Sequence, residues 1–254
     1  MTAETLLRLA LVPAAVWLSS IAARRWGHTV SGYLGGLPMI GGPITLFLAI
    51  DYGAAFAARA ALFTLGAVVA QGAYLLVMAT VGQKRGWLAA LASGWATFVV
   101  VAVAVSFVPL SPALALLLAI AGLAAAWRWL PDPPPDSTRP AVPAVELRLR
   151  LAAAFVLAVV ILASAPLFGP VVSGVLLSMP VTGSITPPFT RAMYGPVALA
   201  RLVRGFVVGL SAFTTFFFVI ATAAVPWGIG ISFVAAVLAA LAAVFIVQRL
   251  LRRT

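Results

Sequence analysis

The residue types best suited to chemistry are glycine, proline, serine and threonine in two segments, 32–45 and 174–188. The first reads Gly-Tyr-Leu-Gly-Gly-Leu-Pro-Met-Ile-Gly-Gly-Pro-Ile-Thr, and the second reads Gly-Val-Leu-Leu-Ser-Met-Pro-Val-Thr-Gly-Ser-Ile-Thr-Pro-Pro. Proline removes a backbone donor and clashes with the preceding turn, and glycine weakens a helix. Both segments lie within apolar stretches, so the sequence predicts a broken helix in each.

A broken helix leaves N–H groups without partners where its second half begins, and carbonyls without partners where its first half ends. The N–H groups favour anions at such a helix start. We expect the second halves to begin at Gly41/Gly42 and Gly183/Ser184, with hydroxyls nearby. Gln71, near the middle of predicted helix 3, would either hydrogen-bond a broken helix opposite it or join two helices by an ordinary interhelical hydrogen bond. The alternative is that these kinks only allow close helix packing. The candidate substrate-binding residues are Pro38, Gly41, Gly42, Pro43, Thr45, Gln71, Pro180, Thr182, Gly183, Ser184 and Thr186.

The composition excludes an ordinary water-soluble fold. The chain has 254 residues, of which 64% are apolar and 8% charged, whereas soluble domains are about 45–50% apolar and about 25% charged. It has no cysteine, one histidine and five acidic residues, too few for a multi-ligand metal centre or an acid/base pair. There is no Walker A loop, Ser-His-Asp set or His-Glu-x-x-His motif. We therefore expect no enzyme activity, no cofactor and no metal.

The apolar stretches predict an all-α polytopic membrane protein with about nine transmembrane helices. A crossing needs about 20 mostly apolar residues. Residues 131–146 form a proline-rich polar linker between a first unit, 1–130, and a second unit, 147–254. The nine predicted spans, numbered as helices 1 to 9, are 5–23, 29–50, 56–80, 87–108, 112–130, 148–165, 171–192, 197–224 and 227–248.

The net charge of +11 is explained by membrane topology rather than by a nucleic-acid partner. With nine spans, every lysine and arginine except Arg8 and Arg59 falls on one side of the membrane. An excess of basic residues marks the cytoplasmic side. The prediction is a multi-pass protein of a bacterial-type inner membrane, with its N-terminus outside and its C-terminus in the cytoplasm.

The chain also matches itself at an offset of 142 residues. Eighteen of the 56 positions from 4 to 59 are identical to those from 146 to 201. The offset places helices 1–4 on helices 6–9, five spans apart, with helix 5 as a connector. Because five is odd, the two halves are predicted to cross the membrane in opposite directions. Such inverted repeats are typical of secondary transporters.

Three charged residues are candidates for coupling or gating. Asp51 lies at a predicted helix end, where it fits either a surface position or a proton-coupling carboxylate. Arg59 and Arg201 are equivalent in the repeat, and each could capture an anion at one mouth or extend to the lipid headgroups.

The general plan resembles inverted-repeat carriers such as cation/proton antiporters and bile-acid symporters, in which paired broken helices cross near the membrane centre. Those carriers commonly have ten spans, with the break in the fourth helix of each repeat, whereas here it is predicted in the second. No functional residue is therefore carried over. The resemblance implies a substrate-bearing core of helices 1–3 and 6–8, and a scaffold of helices 4, 5 and 9.

The function predicted is a secondary transporter that moves a small anionic or amphiphilic solute by alternating access between helices 2 and 7. The alternatives are a channel of the same plan, and a lipid flippase or membrane assembly subunit. The expected partners are a small-molecule or ion substrate, membrane lipids and a second copy of the chain in a homo-oligomer. No nucleic acid is expected.

Overall fold

The structure, a computed structural model, describes Trp17 and residues 28–133 and 144–251. All regular elements within these residues are helices. The predicted first span, apart from Trp17, and most of the proline-rich linker lie outside them. The helices are α1 (28–36), α2 (Gly41–Tyr52), α3 (Ala54–Gly66), α4 (Val68–Lys84), α5 (Trp87–Ser106), α6 (Pro112–Trp129), α7 (Ala144–Leu177) and α8 (Val181–Leu251).

Five helical stretches in the described part of the chain are long and apolar enough to cross a membrane. The outer surface agrees with this, since Val100 of α5 is 68% exposed and Phe107, just after α5, is 81% exposed. These observations fit an all-α membrane protein. The five stretches are His28–Tyr52, Ala54–Lys84, Trp87–Ser106, Pro112–Trp129 and Leu167–Leu251.

The longest helix, α8, bends at two glycines. Gly195 (φ 81°) and Gly228 (φ 76°) adopt non-helical backbone angles. Positive φ is the left-handed region, which glycine enters without a steric penalty. The two bends divide α8 into three helical segments, 181–194, 196–227 and 229–251.

The centre of the fold is formed by α3, α4 and the 196–227 segment of α8. α3 packs on α7 and α8, and α4 packs on α5, α6 and α8. The largest fully buried side chains include Tyr74 of α4 and Phe216 and Phe217 of α8. The core of the described residues therefore lies where α3, α4 and this segment of α8 meet.

Glycine allows α1 and the 196–227 segment to touch at the backbone. A Cβ atom added at Gly32 would lie 2.1 Å from Leu202 O, and one added at Gly205 would lie 2.1 Å from Thr29 O. Gly36 and Gly209 make the next such contact, four residues further along each helix. Small residues at this spacing let membrane helices approach closely.

Two arginines bond the carbonyls at helix C-termini. Arg204 donates to Leu130 O and Pro131 O, both at 3.0 Å, after the end of α6. Arg191 donates from Nε to Gly82 O at 2.5 Å, at the end of α4. Cations are favourable at these ends because the last carbonyls lack helical partners. Both arginines thus link α8 by hydrogen bonds to the C-terminal ends of α6 and α4.

Candidate functional site

The chain is non-helical inside both glycine- and proline-rich segments. Residues 37–40 separate α1 from α2, and residues 178–180 separate α7 from α8. We call them the first break and the second break. Pro38 and Pro180 lie at equivalent points of the two, since they are 142 positions apart.

The exact limits differ from those expected. The helix after the first break begins at Gly41, as expected, but the helix after the second begins at Val181, two residues before Gly183. Pro187 and Pro188 lie inside α8 rather than in a break. Proline is tolerated inside a membrane helix where neighbouring groups satisfy the carbonyls it leaves free.

A cavity of about 70 Å³ lies between the two breaks. A water molecule needs about 10–15 Å³ of such volume, so the cavity has room for roughly five waters. This size suits a solute of only a few atoms. Its walls include Leu37, Met39, Ile40 and Gly41 at the first break, Met179, Pro180, Thr182 and Gly183 at the second, and Gln71, Tyr74, Phe206 and Phe213 from the facing helices.

The N-termini of two helices meet at this cavity. Gly41 begins α2, and Thr182 and Gly183 lie in the first turn of α8; all three line the cavity. Among the described residues, the backbone N–H groups of these three have no backbone acceptor, whereas the next residues in each helix do. The start of a helix carries partial positive charge. Two such starts at one cavity favour a negatively charged or strongly polar solute.

Side chains from α4 and α5 hold the second break in place. Gln71 Nε2 donates to Ser178 O at 2.6 Å, and Trp95 Nε1 donates to Ser184 Oγ at 2.8 Å. Tyr74 Oη donates to Gly183 O at 2.9 Å. Gly183 O would normally accept from residue 187, but Pro187 has no N–H. Tyr74 supplies the missing donor.

Aromatic rings surround the first break instead. A Cβ atom added at Gly41 would lie 3.1 Å from Phe217 Cζ, and one added at Gly42 would lie 3.5 Å from Phe216 Cζ. Gly35, just before the break, packs on the Phe206 ring. The two breaks therefore differ, because side-chain hydrogen bonds hold the second and apolar packing surrounds the first.

The predicted binding residues fall into three groups. Gly41, Gln71, Pro180, Thr182 and Gly183 line the cavity. Pro38, Gly42 and Pro43 line a separate apolar groove beside α2. The other three lie outside both spaces: Thr45 donates to Gly41 O at 2.7 Å, Ser184 accepts from the Trp95 indole, and Thr186 is buried in α8.

The three charged candidates are not among the residues that line the cavity. Asp51 and Arg59 are exposed, and Arg201 is half-buried. Coupling or gating roles for them would act at the ends of the helices rather than on a solute in the cavity.

Sequence reasoning missed Tyr74 and Trp95. Tyr74 lies three residues after Gln71, so helical spacing places both on one face, and that signal was present. Trp95 had no local signal, because its partner Ser184 is 89 residues away.

No family model, curated protein or solved structure matches this chain. Its function must therefore be inferred from the chemistry of the site. That chemistry is a small cavity with two helix N-termini, hydroxyl and amide side chains, and no charged residue among its lining groups.

Proposed function

We propose that this chain is a secondary transporter of the inner membrane that binds a small anion in the cavity between the two breaks. The observation that carries the proposal is the meeting of two helix N-termini, from distant parts of the sequence, at one cavity. Each start is equivalent to roughly half a positive charge. The 70 Å³ volume favours a solute of a few atoms over a larger amphiphile.

Equivalent contacts in the two halves support the predicted repeat. A Cβ atom added at Gly174 would lie 2.4 Å from Ala60 O. At the 142-residue offset, Ala60 corresponds to Leu202 and Gly174 corresponds to Gly32. Leu202 O is the atom that lies 2.1 Å from a Cβ added at Gly32. A pair of contacts exchanged in this way is what a two-fold relation between the halves produces.

The helix directions support an inverted relation. α3–α4 runs parallel to the chain around the second break. Residues 60, 71 and 82 contact residues 174, 178 and 191 in that order, so both segments advance in the same direction. Consecutive membrane spans run in opposite directions, so α1–α2 would run opposite to α3–α4. The two breaks would then lie on antiparallel helices, as in transporters that alternate between outward and inward states.

The two breaks have different surroundings, which suggests that they have different roles in transport. The second break, held by Gln71 and Tyr74, would keep its N–H groups fixed in the cavity. The first break, surrounded by aromatic rings, would shift more easily and open the cavity to one side. Exposed Asp51 and Arg59, together with Arg201, would then couple or gate the movement at the mouths.

The chemistry of the cavity is tested by Thr182→Val, which removes a hydroxyl from the wall and keeps its shape. Purified protein in proteoliposomes is assayed for uptake of a panel of small inorganic and organic anions. One lost hydrogen bond is worth about 0.5–1.5 kcal/mol, so the half-saturating anion concentration should rise roughly 2- to 10-fold.

The matched control is Thr80→Val, because Thr80 is exposed and bonds only carbonyls of its own helix. It should leave uptake unchanged. Absence of saturable uptake of any anion by the wild type would reject the transporter proposal. A steady ionic conductance without saturation would instead indicate a channel.

Topology is tested with single cysteines, since the chain has none of its own. Ala55 and Val197 are exposed, and each lies two residues after a glycine of positive φ, Gly53 between α2 and α3 or Gly195 in α8. With Ala55→Cys and Val197→Cys in intact cells, a membrane-impermeant thiol reagent should label residue 55 from outside. It should reach residue 197 only after permeabilisation. Labelling of both from one side would contradict the inverted arrangement.

A further inference from the structure

The side chains that face the two breaks come from equivalent positions of the two halves. At the 142-residue offset, Gln71 of α4 corresponds to Phe213 of α8. Tyr74 and Phe216 correspond in the same way. Gln71 and Phe213 both line the cavity between the breaks. A buried amide is costly without hydrogen bonds, whereas a buried phenyl ring is not. The two halves therefore place a polar group on one wall of the cavity and an apolar group at the equivalent place on the other.

The amide of Gln71 has a fixed orientation. Its Nε2 donates to Ser178 O at 2.6 Å. A carbonyl oxygen only accepts, so the NH₂ group must face Ser178 and the Oε1 atom must face elsewhere. Gln71 is 6% exposed and lines the cavity, and no described residue donates to its Oε1. This Oε1 is therefore a buried acceptor whose partner has to come from a solute in the cavity.

Two hydroxyls on the cavity wall also lack partners among the described residues. Ser31 of α1 is 6% exposed and lines the cavity, and its hydroxyl makes no hydrogen bond with any described residue. The hydroxyl of Thr182, at the start of α8, likewise makes none. Ser173, the equivalent of Ser31, instead donates to Gly169 O at 3.0 Å. Buried polar groups without partners are costly, so these hydroxyls favour a polar solute.

The cavity thus offers fixed donors and a fixed acceptor to the same solute. The N–H groups of Gly41, Thr182 and Gly183 are donors at two helix starts, where negative charge is favoured. The Oε1 atom of Gln71 carries partial negative charge, so it repels an anion that has no proton to place between them. An anion with a hydroxyl group satisfies both sides. Its charged oxygens accept from the N–H groups, and its O–H donates to Oε1.

We propose that the cavity selects small monovalent oxyanions that carry one hydroxyl group, and that Gln71 Oε1 accepts the hydrogen bond of this hydroxyl. Hydrogencarbonate and hydrogensulfite belong to this class, whereas nitrate, formate and chloride do not. The hydroxyls of Ser31 and Thr182 rotate and can donate or accept, so they suit either end of such a solute. This assignment rests on the proposed anion site and names the feature by which that site chooses its anion.

Hydrogencarbonate and nitrate form a matched pair for the test. Both are planar and monovalent with the same number of heavy atoms, but only hydrogencarbonate has an O–H donor. Binding of the two sodium salts to the purified protein is measured by isothermal titration calorimetry in detergent, in a sealed cell at a pH of about 8. A site that bonds a hydroxyl discriminates against the analogue without one, so the wild type should bind hydrogencarbonate at least about tenfold more tightly than nitrate.

Gln71→Leu removes the acceptor from the cavity wall. It should bring the ratio of the two affinities to roughly one, mainly through weaker binding of hydrogencarbonate. The matched control is Gln83→Leu, the same change on the same helix. Gln83 also donates to a carbonyl of α8, Pro196 O at 3.1 Å, but it does not line the cavity. Gln83→Leu should therefore keep the preference of the wild type.

The comparison of the two anions on the wild type is decisive even if Gln71→Leu does not fold. Equal affinity for hydrogencarbonate and nitrate would overturn this assignment and leave the anion site of the proposed function standing. Binding of neither anion would overturn it as well, and uptake of the anion panel by proteoliposomes would test the proposed function separately. Loss of the preference in Gln83→Leu as well as in Gln71→Leu would also overturn it, because the preference would then not come from the cavity wall.

Discussion

Gly205→Ala is expected to lower the apparent Tm of the purified protein by roughly 2–12 °C, since overpacking costs about 1–3 kcal/mol and each kcal/mol shifts Tm by about 2–4 °C at this size. The added Cβ atom would lie 2.1 Å from Thr29 O and 3.0 Å from Thr29 C. Both are backbone atoms, so relief requires α1 and α8 to separate. Alanine by itself favours a helix over glycine by about 1 kcal/mol, so any loss must come from this contact.

The matched control for Gly205→Ala is Gly230→Ala in the same helix. A Cβ atom at Gly230 meets nothing within 4 Å, so this variant should unfold at the wild-type temperature or slightly above it. Gly174→Ala, 2.4 Å from Ala60 O, should be destabilised in the same direction as Gly205→Ala. If Gly205→Ala and Gly230→Ala unfold together, the backbone contact between α1 and α8 is wrong.

Loss of the donors at the second break should have the next largest effect. Tyr74→Phe and Gln71→Leu each leave a buried carbonyl without its side-chain donor, at Gly183 and Ser178 respectively. An unsatisfied buried group costs about 1–3 kcal/mol, so each variant should lower the apparent Tm by roughly 2–12 °C. Pro187 cannot restore the bond to Gly183, because it has no N–H.

The double variant should reveal whether the two bonds act together. Both donors hold one short stretch, so the two losses should fail to add, by about 0.5–3 kcal/mol as measured in a double-mutant cycle. Tyr52→Phe is the control, because Tyr52 is partly exposed and keeps its ring contact with Phe56. If Tyr74→Phe were as stable as the wild type, then Gly183 O finds another donor and Tyr74 does not position the break.

The same variants distinguish an effect on stability from an effect on anion binding in the proposed transporter. If the second break positions N–H groups toward an anion, Tyr74→Phe should also raise the half-saturating anion concentration in proteoliposomes. A variant that loses stability but keeps its anion dependence would show that Tyr74 supports the helix without shaping the site. Thr182→Val should show the opposite pattern, with normal stability and weaker anion dependence.

Local features of the sequence predicted the helical, apolar character of the chain and the regions where helices are interrupted. Long apolar stretches determine the helices because an apolar solvent leaves backbone groups to bond within their own segment. The positions of Pro38 and Pro180 indicated the breaks, and both lie in non-helical backbone. Their limits were harder to predict, because Pro187 is accepted inside α8 only through the distant Tyr74 hydroxyl.

The sequence by itself therefore determined the apolar helices, the excess of positive charge and the interruptions at glycine and proline, since each of these depends on residues within a turn or two of one another. It also gave the 142-residue correspondence between the halves. Only the tertiary structure decided which residues meet. Gln71 and Tyr74 face the second break, phenylalanine rings face the first, and the Trp95 indole reaches Ser184. Such contacts join residues about 90 to 180 positions apart, and local propensity carries no information about them.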